Sequence, residues 1–113
     1  AFSAHEHRFG VHAGEVETSM LLHLAPEQVQ MARAQNFAST SATRAQRFAI
    51  LGNGKSAKLG WAMQDYNPAG AAGNAAAADA QRGQALVEAA AQGLAQLLQE
   101  MHQLPLDTVG PAY

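Results

Sequence analysis

Apolar residues fall at helical spacing in one long stretch and one short stretch, and elsewhere they come in brief runs. In 79–103 they stand at 86, 87, 90, 94, 97, 98 and 101, opposite Gln84, Glu88, Gln92, Gln96 and Gln99. That period predicts an amphipathic helix. Asp79 suits its N-cap, His102 suits the negative end of its dipole, and Pro105 stops it. Gly83 and Gly93 lie on or near the apolar stripe. A glycine costs about 1 kcal/mol against alanine inside a helix, so both predict the close approach of another element.

A second helix opens at Glu15 and Glu17, with Met20, Leu21 and Leu24 on one side and two acids in its first turn. His23 lies among its leucines and reads as a core or interface histidine. Pro26 suits the first turn of a short helix over 26–34. Residues 35–47 are polar and small, and read as a loop. Phe48-Ala49-Ile50-Leu51, bounded by Gly52-Asn53-Gly54, reads as a strand running into a turn, and 58–63 around Trp61 as a second short strand. Residues 67–74 read as a glycine-rich loop. Upstream, Val11-His12-Ala13-Gly14 reads as the end of an extended segment entering a turn, and the tail 106–113 carries no pattern.

Composition narrows what these elements can build. The 113 residues suit one domain, but 26 of the residues counted in the 48% hydrophobic share are alanine, which buries little area. A net charge of -2 excludes a large nucleic-acid footprint. The absence of cysteine excludes disulfides and thiolate metal sites. No apolar run reaches the length of a membrane span. The opening 1–10 lacks the apolar segment of a secretory leader, so a cytoplasmic location is expected.

The densest chemistry is His12-Ala13-Gly14-Glu15-Val16-Glu17-Thr18-Ser19, which holds an imidazole, two carboxylates and two hydroxyls. Imidazole titrates near neutrality and can move a proton or bind a metal. Glu17, in the first helical turn, can point back toward the same mouth. On composition alone, the first reading is that the two acids only complement the helix dipole and His12 is a turn residue. His5-Glu6-His7 reads first as a solvated polar stretch and second as a chelator. Trp61, Tyr66 and 67–74 read as a pocket wall or as a turn around one packed tryptophan.

The run FGVHAGEVETSMLLHLAPEQV at 9–29 resembles the C-terminal signature of the creatininase (creatinine amidohydrolase) family, through His12, Gly14, Glu17, Thr18, Ser19, Met20, Leu21, Leu22, Pro26 and Val29. Asp65, Asn67, Pro68, Gly70, Gly73, Gly83 and the closing helix extend the likeness to about residue 103. The resemblance implies an α/β fold, a mainly parallel sheet flanked by helices, of which residues 1–113 are the C-terminal part of a single domain. It implies a metal-dependent amidohydrolase cleaving a C–N bond of an amide or cyclic amide. His12 would be the proton shuttle, and Glu17 would stand at the metal as ligand or orienting partner. The implied cofactor is a divalent metal, zinc first, with manganese or iron as alternatives. The implied partners are a small-molecule amide, the missing N-terminal half and further copies in a homo-oligomer, with no nucleic acid and no membrane.

Two departures accompany the likeness. The family's Glu-x-His segment, aspartate and Asn-Gly-His motif belong to an N-terminal half that these residues do not contain; Gly52-Asn53-Gly54 is followed by Lys55. Creatininase holds its substrate with a Trp-Asp pair just before the histidine. Arg8 and Phe9 stand there, which makes Phe9 the expected substrate-binding position and weighs against creatinine as the substrate. The competing expectation is a non-catalytic module that presents the 79–103 helix to a partner.

Overall fold

The computed structural model describes residues 1–57 and 59–111. Its frame is a pair of crossed helices, α2 (Glu15–Leu24) and α5 (Ala80–Gln103), both where the apolar spacing predicts them. Asp79 caps α5 as expected: its carboxylate accepts the Arg82 backbone N–H at 2.8 Å. The crossing lies at Gly83, where an added Cβ would collide with the Ser19 carbonyl and sit 2.9 Å from the Met20 backbone nitrogen. Glycine is therefore required by the approach of α2, as its place on the stripe predicts. Gly93 has no such neighbour within 4 Å, and its predicted partner is not found. Gly83→Ala should destabilise the protein by about 1–3 kcal/mol, the usual cost of overpacking. Thermal unfolding of that variant beside Gly93→Ala, which should not destabilise, checks it.

Ahead of α2, residues 1–14 contain the short helix α1 (Ala4–Phe9), started by Ser3, whose hydroxyl accepts the Glu6 backbone N–H at 3.1 Å. The extended piece predicted at 11–12 forms: His12 makes an antiparallel bridge to Ala72. The predicted 26–34 helix is instead two separate 3-10 turns, Pro26–Gln28 and Met31–Arg33.

Three further expectations are corrected. Residues 35–47 are not a loop. They carry β1 (Asn36–Phe37) and then α3 (Thr40–Arg47), started by Ser39, whose hydroxyl accepts the Ser41 backbone N–H. The run 48–51 is a turn rather than a strand: the Gly52 N–H returns to the Phe48 carbonyl at 3.0 Å, and Ile50 and Leu51 are exposed. Of the strand predicted over 58–63, Lys58 lies outside the described residues, 59–62 form no ladder, and Met63 begins the one-turn helix α4 (Met63–Tyr66). The loop over 67–74 does form, but ends in β2 (Gly73–Asn74).

The mainly parallel sheet is not found among the described residues. Their one sheet is β1 antiparallel to β2, with Asn36 opposite Asn74 and Phe37 opposite Gly73. A parallel sheet needs several strands covered on both faces, and of the runs that could supply them here one is a turn and the other forms no ladder. Among the described residues the buried apolar ones are Ala71, Ala72 and Ala75, whereas Leu94, Leu97, Leu98 and Met101 of α5 are exposed. The radius of gyration is 18.3 Å, against about 13 Å for a compact domain of this length. Among the described residues no helix is long and apolar enough to cross a membrane.

Candidate functional site

The site forms where α2 begins. A helix N-terminus presents unpaired N–H groups and positive potential, so it draws carboxylates. Two answer here. Glu17 bends back, and its Oε2 accepts the Ala13 backbone N–H at 2.6 Å. Glu6 arrives from α1: its Oε1 accepts the Glu15 N–H at 2.7 Å, and its Oε2 accepts the Asn74 N–H at 3.0 Å. Glu6 is buried, and both of its oxygens are spent on backbone donors. A Cβ on Gly73, whose φ is +137°, would lie 2.5 Å from Glu6 Oε1 and 2.6 Å from the Gly14 Cα. Only glycine lets β2 and the start of α2 close over this carboxylate.

Between bridge and helix the chain turns through Ala13, a non-glycine residue at φ +50°. This turn projects His12 over the mouth of α2. His12 Nδ1 lies 3.5 Å from Glu17 Oε2, within ion-pair range but longer than a hydrogen bond. Both side chains are about half exposed. They border a cleft of about 190 Å³ lined also by Glu6, His7, Val11 and Val16. With Glu17 beside Nδ1, Nε2 is the nitrogen left to face an incoming molecule.

The structure thus brings His12 and Glu17 together. Phe9 lies elsewhere, in the wall of a neighbouring cavity, with Val11 common to both. Glu15 does not share the mouth. It is buried and ion-paired to Arg82 of α5, and the Arg82 guanidinium also reaches the Ala77 carbonyl and lies 5.1 Å from the centre of the Phe2 ring. Ser19 is fully buried at the helix crossing, where its hydroxyl accepts the Asp79 backbone N–H at 3.0 Å. Its place in the dense 12–19 segment is structural. His23 is exposed rather than buried in a core. Glu6, read from the sequence as part of a solvated stretch, is the buried member of the site. Ser3-x-x-Glu6 has the capping-box spacing, a signal that announces α1 but not the destination of the carboxylate.

These residues do not make a metal centre by themselves. Among the described residues no group of three or more His, Asp or Glu is placed to hold an ion. A catalytic zinc takes three protein ligands. With both Glu6 oxygens engaged, the mouth offers two donors, His12 and Glu17.

Comparison with known proteins identifies the fold and the family. A solved structure from Bacteroides fragilis, described as "Putative creatinine amidohydrolase", superposes with a TM-score of 0.68 at 26% identity, over 92% of this chain and 41% of that one. The fold is thus creatininase-like, and the chain spans less than half the length of that relative. The family profile Creatininase (creatinine amidohydrolase) matches residues 1–98, and the chain belongs to the creatininase family. No curated protein matches it.

Removing one charge at a time separates the two acids of α2. On the reading that places Glu17 at a metal, Glu17→Gln should lower metal affinity of the complete protein by about 10–100-fold, as loss of an orienting partner does. Glu15→Gln should leave metal affinity unchanged. It should lower stability by about 1.5–3 kcal/mol, the worth of a charged hydrogen bond. Metal titration and thermal melts of both variants check this.

Proposed function

We propose that residues 1–113 are the C-terminal part of a metal-dependent amidohydrolase that cleaves the C–N bond of an amide or cyclic amide. The observation that carries the reading is His12 held above the mouth of α2 with Nδ1 toward Glu17, inside the segment that carries the family signature. Cleaving an amide requires a proton at the departing nitrogen, because an amide anion is a poor leaving group. His12 is the group suited to deliver it. Glu17 beside Nδ1 orients the ring and favours the tautomer with its proton there, so that Nε2 is the nitrogen that takes up a proton and passes it on.

The divalent metal, zinc first and manganese or iron as alternatives, would be held chiefly by residues outside these 113, with Glu17 as its contribution from this chain. The complementary part of the domain would also supply the parallel strands and cover the exposed face of α5. Assembly into homo-oligomers and a cytoplasmic location complete the proposal.

The test compares residues 1–113 alone with the complete protein by circular dichroism, metal content and amine release from a panel of amides and cyclic amides. The chain alone should show no cooperative transition, no metal and no activity. The complete protein should show all three, lose activity on chelation and regain it with zinc, manganese or iron. A metal-free complete protein that hydrolyses none of the panel would overturn the reading.

A further inference from the structure

Beside the His12 cleft lies a second cavity of about 290 Å³, between α1, α3, the turn that follows α3 and the end of α4. Its lining combines Arg8 and Phe9 with Arg44, Trp61 and Tyr66, and among the described residues that line it there is no aspartate or glutamate. The Trp61 and Tyr66 rings meet edge to face at 4.4 Å. The Arg44 guanidinium lies 5.1 Å from the centre of the Tyr66 ring and donates to the Thr40 hydroxyl at 3.0 Å. Arg8 lies 4.9 Å from the centre of the Phe9 ring. Among the described residues neither guanidinium is salt-bridged to a carboxylate.

A guanidinium carries five donors in a planar fork that matches a carboxylate or phosphate. Stacking on a ring fixes its plane and uses none of the fork. Two such groups without acidic partners, at the edge of an aromatic wall, make a site for a flat molecule bearing an oxyanion. The volume is at the small end of the ~300–1,000 Å³ typical of ligand pockets. Val11 borders this cavity and the His12 cleft alike, so one molecule could reach both.

We infer that this cavity binds the oxyanion-bearing, planar portion of the substrate, with Arg44 and Arg8 taking the anion and Trp61 and Tyr66 the flat face. That the occupant is substrate rests on the amidohydrolase reading; that the cavity takes an aromatic oxyanion does not.

The experiment titrates the complete protein with benzoate, phenyl phosphate and benzamide by calorimetry. Benzamide has nearly the shape of benzoate without its charge. At least one of the two anions should bind about tenfold or more tighter than benzamide, the worth of one charge-assisted hydrogen bond. The tighter of the two identifies the oxyanion as carboxylate or phosphate. Arg44→Gln and, separately, Arg8→Gln should reduce that preference toward unity, and Arg44→Lys should keep part of it, with circular dichroism confirming that each variant folds. Equal binding of anion and amide, or a preference that survives both glutamine variants, would overturn the assignment. So would failure of either anion to bind because an acidic side chain from the rest of the domain already occupies the guanidiniums. Binding is read without turnover. Anion binding in a protein that hydrolyses no amide would therefore overturn only the amidohydrolase reading, and hydrolysis without anion binding only this one.

Discussion

His12→Ala in the complete protein should lower turnover by about 10²–10⁴-fold, the usual worth of a positioned acid–base group. The fold should survive, because the imidazole is more than half exposed and, among the described residues, its ion-pair partner is Glu17 at 3.5 Å. Glu17 keeps its hydrogen bond to the Ala13 N–H whatever the side chain at 12. Steady-state kinetics on an amide substrate, with a melt of the same variant, checks both halves. Near-normal turnover would remove His12 from the mechanism.

The opposite pattern is expected at Glu6. Glu6→Ala strips the Glu15 and Asn74 N–H groups of their acceptors in a closed space. A buried donor left unpaired costs about 1–3 kcal/mol; with the Glu15 N–H buried and the Asn74 N–H part-buried, the loss should be at least about 1–3 kcal/mol. Glu6→Gln keeps one acceptor oxygen and turns a donor toward the other N–H, so it should be intermediate only if Asn74 moves. Denaturant unfolding of the two variants gives the measurement. A melt unchanged in Glu6→Ala would mean that water replaces the carboxylate.

What the sequence discloses follows from how local each signal is. The helices α2 and α5 are legible because apolar spacing, Asp79 and the acids of the first turn are all local. The Gly83 crossing is legible because a glycine on an apolar stripe has a cost that only close approach explains. α3 is missed because Thr40–Arg47 has only alanines for an apolar face; the Ser39 cap is its one local sign. Phe48 to Leu51 reads as a strand from its side chains, yet strand character depends on a neighbour to pair with, and no described segment pairs with it. β1 and β2, at two residues each, are too short to show any alternation. Within the site, His12 and Glu17 are neighbours in sequence and can be read together. Glu6 is not, because Asn74, 68 residues away, decides its role.

That separation recurs. The Glu15–Arg82 ion pair spans 67 residues, and the Ser19–Asp79 hydrogen bond spans 60. The mouth of α2 is therefore closed by residues 72–83, distant in sequence, and each closure carries the loop entropy of a distant contact. During synthesis α1 and α2 emerge before residues 72–83, with the acids of the mouth still in water. They can be buried only once residues 72–83 have left the ribosome, so the candidate site forms as a late event of folding. A nascent chain stopped before Gly73 should expose Glu6 and hold His12 in no fixed orientation.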